Sequence, residues 1–172
     1  APGREALLAR VQQSVEQRTT HVARLVDGLV EAARSESGEL VPHRTLLDLV
    51  AAVDAAVEAQ RPTCERRDLR LHWQRPAQPV EIDADPVLVD QIISNLIDNA
   101  CAHTPSGGRI DLSIGASDDT VTLTVADEGL GITQQALSGV FEPFSQALQT
   151  FDVEVPSLGL GLTAVRALAR AH

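Results

Sequence analysis

From about Arg4 to Ser35 the apolar positions fall into a repeat. Leu8, Val15, Val22 and Leu29 recur every seven residues, Val11, Leu25 and Ala32 occupy the companion positions, and Arg18 is the one polar intruder. This heptad seam predicts one long helix that packs against other helices as in a bundle. A single amphipathic helix belonging to the same domain is the plainer alternative. Ser37-Gly38 marks its end.

Beyond Gly38 the period changes. Glu39 to Leu46 reads as a short strand. Asp48 to Gln60 has helical spacing through Leu49, Val50, Val53, Ala56 and Val57, and Pro62 is expected to stop it. Leu69, Leu71 and Trp73 alternate like a strand, and Val80 and Ile82 suggest another. Asp85-Pro86 has the form of an N-cap followed by Pro at the first helical position. The helix it opens should reach about His103, with Ile92, Ile93, Leu96, Ile97 and Ala100 buried. Pro105, Gly107 and Gly108 then turn the chain. Ile110, Leu112 and Ile114 alternate, as do Val121, Leu123 and Val125, and the polar stretch Ala116 to Thr120 between them predicts a hairpin. Ile132 to Ser157 has no clean period, and Leu158 to Ala171 returns to helix. Interleaved helices and strands with a hairpin indicate a mixed sheet rather than a parallel one.

Composition narrows the function classes. Of the 172 residues 44% are hydrophobic, enough for one core, and the formal net charge is -10. That charge disfavours nucleic acid and anionic membrane surfaces as direct partners. It does not exclude a nucleotide, which local dipoles and a metal can hold. Cys64 and Cys101 are the two cysteines, too few for a disulfide framework or a CxxC metal pair, so a reducing, cytoplasmic compartment is expected. The most apolar stretch, Leu46 to Ala59, is interrupted by Asp48, Asp54 and Glu58, so no membrane span is expected. The chain opens on Ala1 rather than Met and reads as a piece of a longer protein, which could itself be anchored in a membrane.

Four segments carry candidate chemistry. On the helix from Asp85, residues Gln91, Asn95, Asn99 and His103 sit four apart and share one polar stripe. Asn is a poor helix former and a buried amide needs partners, so two on one stripe suggest a ligand, although a solvated face explains them as well. Asp127-Glu128-Gly129-Leu130-Gly131-Ile132 follows a strand. A carboxylate there can accept from an exocyclic amine while the glycines let the backbone approach a flat ring; an ordinary Asp/Gly turn is the alternative. Ser157-Leu158-Gly159-Leu160-Gly161-Leu162 leads into a helix, where exposed N–H groups suit phosphate. It lacks the GK[ST] of a Walker loop. Finally, two of the three Phe lie in Val140-Phe141-Glu142-Pro143-Phe144. They are expected to anchor the base of a loop to the core, with the polar stretch after Phe144 as a lid.

In order and spacing, "NLIDNACAHTP", "DEGLGI", "FEPF" and "GLGL" resemble the N, first-glycine, F and second-glycine boxes of sensor histidine kinases. "HVARLVDGLVEAARSESGEL" is similar to the second helix of that family's dimerisation and phosphotransfer domain. The resemblance implies an α+β two-layer sandwich of the Bergerat type, a mixed sheet with helices on one face, preceded by one long helix from a helical bundle. On this view residues 1–38 are a remnant of the dimerisation domain. Residues 39–172 are the ATP-binding domain, with the family's closing strands expected beyond His172. It implies that Asn99 coordinates Mg²⁺ with help from Asn95, and that Asp127 holds the adenine amino group with Gly129, Gly131 and Ile132 beside the base. Gly159, Leu160, Gly161 and Leu162 would meet the phosphates, and Phe144 would pack under the lid.

Two positions depart from the family pattern. Ala102 stands where a Lys or Arg is usual, so His103 or a lid residue would have to replace a phosphate contact, and Ser157 stands where the second glycine box usually opens with Gly. The implied function is transfer of the γ-phosphoryl of Mg-ATP to a histidine. None of the five histidines has the family's phosphoacceptor context, so that residue is expected upstream of Ala1. The implied partners are ATP and ADP, the protein's own dimerisation helix in a homodimer, and a response-regulator receiver domain. Two alternatives differ in class: an ATP-hydrolysing module that gates a conformational change, and a non-catalytic nucleotide-binding module. The hydrolysing relatives carry Glu at the position of Asn95, and an amide is no general base near neutral pH.

Overall fold

The computed structural model describes residue 30, residues 40–143 and residues 159–172. The heptad seam, Phe144 and the predicted lid lie outside the described residues. The elements run β1 (Thr45–Asp48), α1 (Leu49–Arg66), β2 (Arg70–Gln74), β3 (Glu81–Ala84), α2 (Pro86–His103), β4 (Arg109–Ser117), β5 (Thr120–Asp127), α3 (Gln134–Leu137) and α4 (Gly161–Ala171).

β2, β4 and β5 form one sheet, with β2 parallel to β4 and β4 antiparallel to β5. This is the mixed sheet expected. β1 and β3 make a separate antiparallel ladder. Alternation sorts the faces of the larger sheet. Leu71, Trp73, Ile110, Leu112, Ile114, Val121, Leu123 and Val125 belong to the core with Val53 and Val57 of α1 and Ile93, Ile97 and Ala100 of α2. The opposite face is polar, bearing a hydrogen bond between Asp111 and His72 at 2.9 Å and an ion pair from Asp111 to Arg109 at 2.8 Å. One helical layer therefore covers one side of the sheet, because only that side offers apolar surface to bury. α4 packs along α2 and buries Ala164, Val165 and Leu168.

Several boundaries differ from expectation. The first strand occupies Thr45–Asp48 rather than the stretch from Glu39. The hairpin strands extend to Ser117 and Thr120, leaving Asp118-Asp119 as the connection. The last helix starts at Gly161. The clearest correction is α1, which continues through Pro62 to Arg66. Proline removes one helical hydrogen bond and typically costs about 3 kcal/mol. Here Pro62 and Glu58 lie on the exposed side, where water can reach the freed carbonyl. The extra turn buries Cys64. It closes where the Arg67 N–H reaches Thr63 and Cys64 carbonyls and Asp68 takes a positive φ of 54°. On α2, Ile93, Ile97 and Ala100 are buried as expected, Ile92 and Leu96 only half-buried, and Leu88, Val89 and Cys101 join them.

Asp54 ties α1 to the sheet. Its carboxylate accepts from Trp73 Nε1 at 2.8 Å and from Arg75 Nε at 3.0 and 3.2 Å. The Trp73 bond is the largest effect holding the Asp54 pKa below its ordinary value, against the opposing effect of burial; Arg75 adds to the lowering. A depressed carboxylate pKa contributes stability at neutral pH that is lost on acidification through the folded-state value. Asp54→Ala should therefore lower the melting temperature at pH 7 by a few degrees, on the order of 0.5–1 kcal/mol after solvent screening. The gap should close below about pH 3.9, where free aspartate protonates. Thermal melts across that range check it; a gap independent of pH would refute the assignment.

Candidate functional site

Asp85 sets the start of α2. Its Oδ1 accepts from Val87 and Leu88 N–H at 2.9 and 3.3 Å, and its Oδ2 from the His43 N–H at 2.8 Å. Burial alone would raise its pKa, but these donors overcome that and hold the carboxyl below its ordinary range. Its own N–H donates to Nε2 of His172 at 3.1 Å, so this cap also gathers the end of α4. The composition pattern pointed to the cap but not to His43 or His172, whose partners are far away in sequence.

The stripe Gln91, Asn95, Asn99 and His103 does not form a solvated face. Asn95 is 8% exposed, and Asn99 and His103 are half-buried. Neither amide side chain meets a hydrogen-bond partner among the described residues. A buried amide needs a partner, and a ligand with hydrogen-bonding or metal-coordinating capacity would supply one here. Amide oxygens are hard donors of the kind Mg²⁺ accepts beside phosphate and water. The residues present therefore fit that ion. Among the described residues no cluster of three His, Cys, Asp or Glu side chains could hold a metal alone.

The end of β5 comes against the end of α2. Asp127 is exposed, and its Oδ1 accepts from the Gly129 N–H at 2.8 Å, which leaves Oδ2 available. A Cβ at Gly129 would stand 2.8 Å from the carbonyl oxygen of His103, and closer still to Asp127 Oδ1. Only glycine lets this loop lie on the α2 terminus. Gly131 has a φ of +72° with open space around it, and Ile132 is half-buried. Burial lowers the pKa of His103; Asp127 opposes that shift and Arg67 adds to it. Burial therefore favours the neutral form of the His103 imidazole.

The third element is the start of α4. Asp48, Asp85 and Thr133 cap α1, α2 and α3 through their side chains, whereas α4 starts at Leu160 without a side-chain cap. Gly159 has a φ of +66°, Leu160 is buried, Gly161 opens the helix and Leu162 is half-buried. First-turn N–H groups without a cap are suited to an anion. α2 packs against both β5 and α4, so the elements carrying the predicted residues are neighbours. Phe144 and Ser157 lie outside the described residues.

The segment before them corrects one expectation. Phe141 is 38% exposed and is not a core anchor; Val140 is the buried residue. Phe141 lies under the Arg166 guanidinium, 5.9 Å from ring centroid to carbon, and its carbonyl accepts from Thr163 Oγ1 at 2.9 Å. Arg166 also pairs with Glu142 at 3.1 Å. The pairing of α4 with this segment was not legible in sequence, because Thr163 and Arg166 look like ordinary helix positions.

Residues 84–172 match the family model described as histidine kinase-, DNA gyrase B-, and HSP90-like ATPase. The chain belongs to this family. Within it, the chain is 33% identical over 166 residues to the sensor protein CreC of Escherichia coli, covering 95% of this chain and 34% of CreC. It is 30% identical over 152 residues to the histidine protein kinase DivJ of Caulobacter vibrioides, covering 88% of this chain and 25% of DivJ. The chain therefore spans a quarter to a third of these relatives. Among solved structures, the Acinetobacter baumannii histidine kinase AdeS superposes with a TM-score of 0.70 at 25% identity, over 92% of this chain and 72% of that one. The fold is that of the catalytic domain of histidine kinases.

Proposed function

We propose that this chain binds Mg-ATP between α2, the Asp127–Gly131 loop and the start of α4, and that within its longer protein it donates the γ-phosphoryl group to a histidine on a dimerisation helix. Asn95 carries this reading. It is a buried amide at the position where a water-activating carboxylate would serve hydrolysis, and an amide does not take a proton near neutral pH.

Asp127 would accept the adenine amino group through Oδ2, with Gly129, Gly131 and Ile132 beside the base. Asn99 and Asn95 would hold Mg²⁺, which supplies charge neutralisation for the phosphates. Gly159, Leu160, Gly161 and Leu162 offer backbone N–H groups to the same phosphates, and Phe144 would pack beneath the covering segment. His103 would line the site as a hydrogen-bonding side chain. Excluding water and fixing the phosphates in line with an incoming imidazole is what the chain contributes to transfer.

The same reading makes residues 1–38 part of the dimerisation domain and 39–172 the nucleotide domain. It places the protein as a homodimer with this domain in the cytoplasm, releasing ADP and passing the phosphoryl group to a response-regulator receiver domain. In the described residues no helix is long and apolar enough to cross a membrane.

Titration calorimetry with ATP, with and without Mg²⁺, tests the binding step; binding should depend on the metal. Incubation of labelled ATP with this chain and a fragment carrying the accepting helix tests the transfer step. Label should appear on that fragment in acid-labile, base-stable form. Rapid release of free phosphate without such label would show hydrolysis instead.

A further inference from the structure

β4 and β5 run antiparallel, and the last regular pair sets Ile110 opposite Asp127. One step further the ladder changes its acceptor. The Glu128 N–H still donates to the Arg109 carbonyl at 2.9 Å. In a regular hydrogen-bonded pair the Arg109 N–H would return to the Glu128 carbonyl. It donates instead to Glu128 Oε2 at 3.0 Å. The side chain has replaced the main-chain acceptor, so the ladder closes while the backbone turns away from the sheet. That turn carries the chain to Gly129, against the His103 carbonyl, and it frames the carboxylate of Asp127.

We propose that Glu128 is a positioning residue for base selection: its carboxylate, accepting from the Arg109 N–H in place of a carbonyl, sets the direction in which Asp127 meets the base. The inference rests on the reading that Asp127 receives the adenine amino group. The hydrogen bond matters more than the charge. Glu128 lies 3.8 Å from both Arg109 and Arg70, with all three side chains at least half exposed, and ion pairs of that kind contribute little.

Three variants separate the acceptor from the charge. Glu128→Gln keeps an acceptor oxygen and removes the charge. Glu128→Ala removes both. Arg109→Ala removes a cation and keeps the N–H. The readouts are amide exchange at residue 109 and the affinities for Mg-ATP and Mg-GTP. Glu128→Ala should speed exchange at Arg109 and reduce the preference for ATP over GTP about three- to tenfold, the range of one hydrogen bond. Glu128→Gln and Arg109→Ala should stay within about twofold of wild type. If Glu128→Ala folds poorly, Glu128→Ser takes its place. An unchanged preference in the Ala or Ser variant overturns the proposal, as does an equal loss in Glu128→Gln. Should the wild type show no preference for ATP, the fault lies with the Asp127 reading. Exchange at Arg109 then decides the Glu128 assignment alone, and unchanged exchange in the Ala or Ser variant overturns it.

Discussion

Asp127→Asn should weaken ATP binding by roughly ten- to a hundredfold, the loss of a charge-assisted hydrogen bond worth about 1.5–3 kcal/mol. The geometry gives the direction. Asp127 Oδ1 is already engaged by the Gly129 N–H at 2.8 Å. In the Asn variant the one oxygen remains on that bond, because the loop needs an acceptor there. The amide NH₂ then faces the base and sets a donor against the donor of the adenine amino group. The same NH₂ matches the carbonyl that guanine presents at the equivalent position, so GTP should lose less than ATP. Calorimetric titration of both nucleotides reads this. An equal loss for the two would mean that Asp127 serves the loop and does not read the base.

The second large effect concerns Asn99. Replacing it with Ala should remove the metal dependence of nucleotide binding. Affinity in the presence of Mg²⁺ should fall on the order of ten- to a hundredfold, the usual scale for disturbing a metal's supporting groups. Affinity in the presence of a chelator should not change. The ligand-free protein should respond in the opposite sense. Asn99 has no side-chain hydrogen-bond partner among the described residues and is a poorer helix former than Ala, so the variant should be slightly more stable, by roughly half a kcal/mol. Weaker Mg-ATP binding together with an unchanged or raised melting temperature separates a ligand-holding role from a structural one. A variant that melts earlier and keeps its metal dependence would refute the assignment.

These expectations divide by how far apart the interacting groups lie along the chain. Local physics was legible without coordinates. Asp85-Pro86 announced the start of α2, and His103 its end, because capping and the proline preference act within a single turn. The alternation of Ile110 to Ile114 and of Val121 to Val125 announced the hairpin, since its register follows from period and turn. The four-residue spacing of Asn95, Asn99 and His103 placed them on one stripe before any fold was known.

Burial and long-range pairing were decided only by the tertiary structure. Whether Pro62 ends a helix depends on what the next turn can bury, and Cys64 against the core makes its continuation favourable. Whether Asn95 faces water or the interior depends on what packs on α2, including α4, which arrives some sixty residues later along the chain. Burial of His103 lowers its pKa, opposed in part by Asp127, and that burial exists only in the folded chain. The sequence by itself determined which segments are helix and which are strand, though not where α1 ends or β1 begins, and which residues share a face, because these follow from a period and from neighbours one turn away. The assembled fold decided which faces are dry and that a Glu128 side chain, not a carbonyl, completes the last rung of the sheet, because burial and acceptor choice are set by groups that only folding brings together.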